Sequence, residues 1–312
     1  MRRFPTARTR NTTHGETAFG ATLQGLAAIV LWSSLASITA GLSHIPPFEM
    51  AALSFAIATM VGVVFAALTG TTLSQLRRVP TAYWLLGVYG LLGYHTAYFY
   101  AFQHAPPFEA NLINYLWPLL IVLFGAMLPQ SAGRTPLRAL QFAGAGLAFA
   151  GTALLVSKTA SHEGPSALSG GLAAFAAAAI WSSYSVALRL FPAVPSSAVA
   201  VNCALTALGA ALCHLAFEQT VWPRSAMEWL AILAQGLGPA GLAFFLWDAA
   251  MKRGQMSLLG VAAYATPLLS TLLLALTGRA ELTPVLLLSA ALVTLGAIVA
   301  SQPRDRSSDA AG

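Results

Sequence analysis

Charge is what this sequence most lacks. Only 8% of its 312 residues are Asp, Glu, Lys or Arg, against about 25% in an ordinary soluble domain. A soluble fold of this length could not hide the 57% of residues that are hydrophobic, whereas hydrocarbon solvates them readily. Cysteine is nearly as scarce. Cys203 and Cys213 share one apolar stretch, and ten residues of helix rise about 15 Å, too far for a disulfide. There is no CxxC pair and no His/Cys cluster at metal spacing, so no metal and no redox cofactor are expected. A Walker-type phosphate loop is also missing. The short loops leave no room for a soluble catalytic domain, so no catalytic residue is assigned and the chain is not expected to be an enzyme.

What is present is apolar length. The charged residues punctuate ten charge-free stretches: 17–48, 50–76, 79–108, 110–133, 139–157, 164–188, 190–217, 229–247, 254–278 and 282–303. A helix needs roughly 20 apolar residues to cross the bilayer core. The stretches do not alternate apolar with polar residues, as barrel strands do, and helices satisfy their own backbone in lipid. Ten transmembrane helices in an all-α membrane protein are therefore predicted. The first stretch is longer than the apolar core of a cleavable signal and lacks a small-residue cleavage site, so it reads as a permanent span.

The net charge of +6 is unevenly placed. With the N-terminus inside, the cytoplasmic face receives Arg2, Arg3, Arg8, Arg10, Arg77, Arg78, Arg134, Arg138, Arg189, Lys252, Arg253, Arg304 and Arg306. The outer face receives Lys158, Arg224 and Arg279. The positive-inside rule then puts both termini in the cytoplasm, with the chain crossing a plasma membrane. Anionic lipid accounts for the basic balance, and no nucleic-acid partner is expected.

The chain also matches itself at an offset of 149. Trp32-Ser33-Ser34 aligns with Trp181-Ser182-Ser183, Pro46 with Pro195, and Gly87 with Gly236. The run Tyr115 to Leu120 aligns with Tyr264 to Leu269, bringing Pro118 over Pro267. Several matches at one offset argue for duplication. Five spans per copy is an odd number, so the second copy enters from the other side. Inverted repeats of this kind mark secondary transporters, with the substrate near the midplane. The predicted organisation is a cytoplasmic tail (1–19), a five-helix repeat (20–157), a linker (158–167), a second repeat (168–301) and a cytoplasmic tail (302–312), around a central cavity. One chain holds both repeats and would suffice as a functional monomer.

These residues resemble the drug/metabolite transporter superfamily and its EamA-type ten-helix members. Ala28 to Ser33, Asn114-Tyr115-Leu116-Trp117-Pro118, Ile180-Trp181 with Tyr184, and Tyr264 with Thr266-Pro267-Leu268 look like the first, fourth, sixth and ninth helices of YddG-type aromatic amino acid exporters. The resemblance runs over roughly residues 20–300. It implies ten helices around a cavity and export of aromatic amino acids. The sequence departs from the pattern at Tyr94-His95-Thr96 and at Asp248.

Candidate site residues follow from intramembrane polarity. On a helical wheel Gly87, Gly90, Tyr94, His95, Tyr98 and Phe102 fall within an arc of about 140°. Such a stripe either faces a cavity, where rings stack on an aromatic substrate, or packs against another helix. His95 either meets the substrate or a proton, or bonds a neighbouring carbonyl. Asn111, Asn114, Tyr115 and Pro118 share the next helix's face, with Trp117 pointing elsewhere as a packing residue. Asn114 and Tyr115 would bind the backbone of an amino acid or join helices, and Pro118 and Pro267 would break their helices. Trp32, Trp181, Tyr184 and Tyr264 follow by repeat symmetry and resemblance. Asp248 is open to two readings, proton coupling or an i, i+4 pair with Lys252 near the interface. Glu49 and Glu109 read as helix N-terminal caps.

The reading that best joins these observations is a secondary exporter of amino acids, aromatic ones preferred, working by alternating access. An efflux carrier for drugs or organic cations is the alternative, and it would need an anionic or aromatic cage. An intramembrane enzyme would need a partner for His95 that the sequence does not offer.

Overall fold

The structure is a computed structural model that describes residues 7–132, 139–159, 165–254, 259, 262–263, 265–278 and 283–302. Those residues form helices and turns, with no strand among them. Five helices are long and apolar enough to cross a membrane: Phe19–Thr39, Pro47–Leu68, Leu168–Leu190, Ser196–Phe217 and Ala226–Arg253. Glu109–Gly125, Phe142–Gly151 and Leu287–Gly296 are shorter apolar helices. Large apolar side chains point outward along them, Leu68 at 82% exposure and Leu215 at 79%. Such a surface suits lipid and not water.

Several helices begin on proline, whose missing N–H costs nothing at the first position. Pro47, Pro107, Pro165 and Pro284 occupy these starts. Glu49 is not the cap the sequence suggested. The cap of the Pro47–Leu68 helix comes from a distant loop, where the Glu218 carboxylate accepts from Phe48 N (3.0 Å) and Glu49 N (3.1 Å). Glu49 reaches the other way, its Oε2 accepting from Val221 N at 2.9 Å. His214 sits between the two carboxylates, with Nδ1 at 2.9 Å from Glu218 and Nε2 at 4.0 Å from Glu49.

Small residues set the helix spacing. Gly62 lies so close to Ala200 that the helices Pro47–Leu68 and Val199–Phe217 run with their backbones nearly touching, as small residues permit in membranes. The N-terminal helix packs along Ala243–Arg253, and Pro165–Ala187 along Tyr94–His104.

Two helices are interrupted by a π segment, Tyr89–Gly93 and Gly238–Leu242. The extra residue per turn shifts the face presented by everything beyond it. The bounds of these segments differ by 149 at both ends, as do those of Tyr94–His104 and Ala243–Arg253 and of Pro47–Leu68 and Ser196–Phe217.

Candidate functional site

The π segment at Tyr89–Gly93 delivers Tyr94, His95 and Tyr98 to the interior. A second break does the same for the following helix. Pro107–Asn114 ends, Tyr115 and Leu116 form a turn, and Trp117–Gly125 resumes with Pro118 at its second position. Pro118 has no N–H to donate to the preceding turn, which is where the helix gives way. Pro267 stands in the first turn of the helix Ala265–Leu276, which follows a turn at Ala263, and Tyr264 falls outside the described residues.

These elements enclose a small pocket of about 30 Å³, room for about two water molecules as it stands. Tyr94, His95, Tyr98, Asn114, Tyr115, Trp32 and Trp181 all line it. Tyr184 stands behind them, buried and 5.4 Å from the Trp181 ring. The wall also includes Leu35, Asn111, Trp117, Phe244 and Thr266. Trp117, read from the sequence as pointing away, faces the cavity because the Tyr115–Leu116 turn breaks the 100° rotation before it.

The wall is chiefly aromatic. Trp32 is a hub, with ring centroids 5.0 Å from Trp247, 5.2 Å from Trp181, 5.9 Å from Phe244 and 6.3 Å from Trp117. Tyr94 stacks on Tyr98 at 5.6 Å. His95 is enclosed by Phe55 at 4.7 Å and Phe244 at 5.6 Å. Its Nδ1 lies 2.9 Å from the Leu91 carbonyl. A carbonyl only accepts, so Nδ1 carries the proton and Nε2 is the ring's other nitrogen face.

Two polar groups of the wall differ in how well they are satisfied. Asn111 is fully engaged: Nδ2 donates to Tyr115 Oη (3.1 Å) and Ser270 Oγ (3.3 Å), and Oδ1 accepts from Tyr98 Oη (3.5 Å). Tyr115 Oη in turn donates to the Thr266 carbonyl at 3.4 Å. Asn114 is only half engaged. Its Nδ2 donates to Tyr94 Oη at 3.2 Å, while its Oδ1 and the Thr266 hydroxyl find no hydrogen-bond partner among the described residues although both are buried. Orphaned buried polar atoms are expensive, and those facing a cavity are open to water or to a guest. Among the described residues no Asp, Glu, Lys or Arg lines the wall, so the guest that suits it has no large net charge.

Asp248 lies outside this cavity. It is buried within the protein, 0% exposed. Lys252 Nζ lies 2.8 Å from its Oδ2, and Tyr83 Oη donates to Oδ1 at 3.2 Å. Lys252 also donates to the Val194 carbonyl at 2.9 Å.

Comparison with known proteins agrees with this architecture. Residues 19–157 and 168–302 each match the EamA-like transporter family. The chain belongs to the EamA-like transporter family. It is 49% identical over 283 residues to the aromatic amino acid exporter YddG of Ancylobacter novellus, covering 90% of this chain and 96% of that one. It is 28% identical to the YddG exporter of Salmonella typhimurium, covering 82% and 88%. A solved crystal structure 48% identical in sequence superposes with a TM-score of 0.76, covering 91% of this chain and 97% of the other. This EamA-like chain is thus an all-helical membrane transporter that shares nearly its full length with exporters. Of the residues that sequence reasoning left out of the site, Thr266 lies in the run Thr266-Pro267-Leu268 already singled out, whereas Phe244 carries no local mark of function. The offset of 149 could have found Phe244, which aligns with His95.

Proposed function

We propose that this protein exports aromatic amino acids by alternating access. The observation that carries the reading is the pairing of an aromatic wall with the free acceptors Asn114 Oδ1 and Thr266 Oγ1. An aromatic amino acid is neutral overall, with an apolar ring at one end and a zwitterion at the other. Its ring suits the Trp32, Tyr94 and Trp181 faces, which stack well edge-on or offset. Its ammonium suits Asn114 Oδ1, and its carboxylate suits the Tyr94 O–H, whose oxygen already accepts from Asn114. The identity to exporters of aromatic amino acids supports the same assignment.

In this reading ten spans form two inverted repeats with both termini cytoplasmic, and one chain is the working unit. The twofold family match and the helix bounds that recur at 149 support the duplication. The reading of Asp248 as a coupling group gives way to a structural one, since its carboxylate is occupied by Lys252 and Tyr83. The same occupation leaves the organic-cation alternative with the aromatic wall alone to hold its charge. Binding tests this assignment directly. Phenylalanine is expected to raise the melting temperature of the detergent-purified protein, and Asn114→Ala to abolish the shift while the unliganded protein stays folded. An equal shift in the variant would count against the site.

A further inference from the structure

Trp32 and Trp181 occupy equivalent places at the offset of 149, yet they are bonded differently. The Trp32 indole N–H donates to the Pro239 carbonyl at 3.0 Å. Pro239 lies in the π segment Gly238–Leu242. There the Ala243 N–H reaches back to the Gly238 carbonyl, five residues away. As the ladder returns to α spacing it passes over the Pro239 carbonyl, which is left for an outside donor. The equivalent of Pro239 is Gly90, in the π segment Tyr89–Gly93. Among the described residues no hydrogen bond joins Trp181 to Gly90. The Tyr184 ring covers Gly90, and a Cβ there would overlap it. Both indoles line the cavity, edge to face, 5.2 Å apart. A shift of one ring therefore displaces the other.

We propose that the Trp32–Pro239 and Trp181–Gly90 contacts are alternative latches, of which this structure shows the first closed and the second open. The proposal rests on the two-state carrier reading above. In an inverted repeat the two halves exchange conformations between the opposite-facing states. A bond made by one half alone in one state then belongs to the other half in the other state. Packed aromatic contacts are bistable and do not deform smoothly, so the two latches divide the states sharply. Substrate in the cavity touches both indoles and couples occupancy to the exchange.

The test uses the full chain with Cys203→Ala, Cys213→Ala and Leu35→Cys, Leu35 being a cavity residue. In liposomes, a membrane-impermeant maleimide is applied from one face and then the other, and the ratio of labelling rates is read. Losing one hydrogen bond is expected to move that ratio about two- to tenfold. Trp32→Phe and Trp181→Phe are expected to move it in opposite directions, with the double variant returning near the parent. Shifts in the same direction, or none, overturn the proposal. Where Trp32→Phe fails to fold, Trp181→Phe alone decides: a changed ratio is expected and an unchanged one overturns the latch. Labelling of the parent from one face only, with or without phenylalanine, overturns the two-state reading itself and the latch with it.

Discussion

Asp248 and Lys252 form an ion pair sealed inside the protein, Oδ2 to Nζ 2.8 Å, with the two side chains 0% and 2% exposed. Both charges are desolvated, so removing one leaves the other stranded. Lys252→Met is expected to cost about 3–5 kcal/mol. Asp248→Leu with Lys252→Met together is expected to recover most of that loss, because an apolar pair of similar volume needs no compensation. Melting temperatures of the purified variants check both. Flux through the double variant checks the role: it is expected to persist, whereas its loss in a folded protein would restore Asp248 as a coupling group.

The half-engaged Asn114 makes a sharper statement about binding. Tyr94→Phe removes the O–H assigned to the substrate carboxylate and leaves the ring in place. The expected result is a KM raised about tenfold, equivalent to ~1.4 kcal/mol, with about 1–3 kcal/mol of stability lost because Asn114 Nδ2 loses its acceptor. Asn111→Ala should behave differently, since Asn111 ties Tyr98, Tyr115 and Ser270 together. Its loss is expected to lower the melting temperature first. A stable Asn111→Ala protein with normal melting would contradict the division between binding and scaffold residues.

How much of this was legible beforehand follows from which forces leave a local trace. Charge is nearly absent from membrane spans, so the sparse Arg, Lys, Asp and Glu residues marked where helices lie. Tyr94, His95 and Tyr98 stood out because polar rings are costly in lipid. Trp117 was misread because the wheel assumes an unbroken helix, and the turn at Tyr115–Leu116 resets it. The π segments passed unnoticed for the same reason. The Glu218 cap on Phe48 and Glu49 spans about 170 residues of sequence, and nothing local announces a partner so far away. The pairing of Asp248 with Lys252 is legible from the i, i+4 spacing, whereas Tyr83 on Asp248 and the Val194 carbonyl on Lys252 come from elsewhere in the chain.

Glycine contacts allow a controlled comparison. A methyl group at Gly87 would overlap the Asn202 side chain, and one at Gly90 the Tyr184 ring. Overpacking of this kind typically costs about 1–3 kcal/mol. Gly146 has open space around it, and alanine there is expected to be neutral or to stabilise its helix by up to about 1 kcal/mol. Melting of the three single variants in one detergent orders them, and a Gly146→Ala variant as unstable as Gly90→Ala would contradict the packing.

Glu218 offers a test of the long-range cap. Glu218→Ala removes the acceptor for two backbone N–H groups of the Pro47–Leu68 helix. A lost cap costs about 0.5–2 kcal/mol. Glu218→Gln keeps an oxygen and is expected to retain part of it. Equal melting of all three proteins would contradict the cap.

The central claim is tested most directly by uptake of labelled phenylalanine into liposomes containing the purified chain, with unlabelled tyrosine, tryptophan, threonine and an organic cation as competitors. Saturable uptake suppressed by tyrosine and tryptophan and left alone by the cation is expected. No uptake, or suppression by the cation alone, would contradict aromatic amino acid transport.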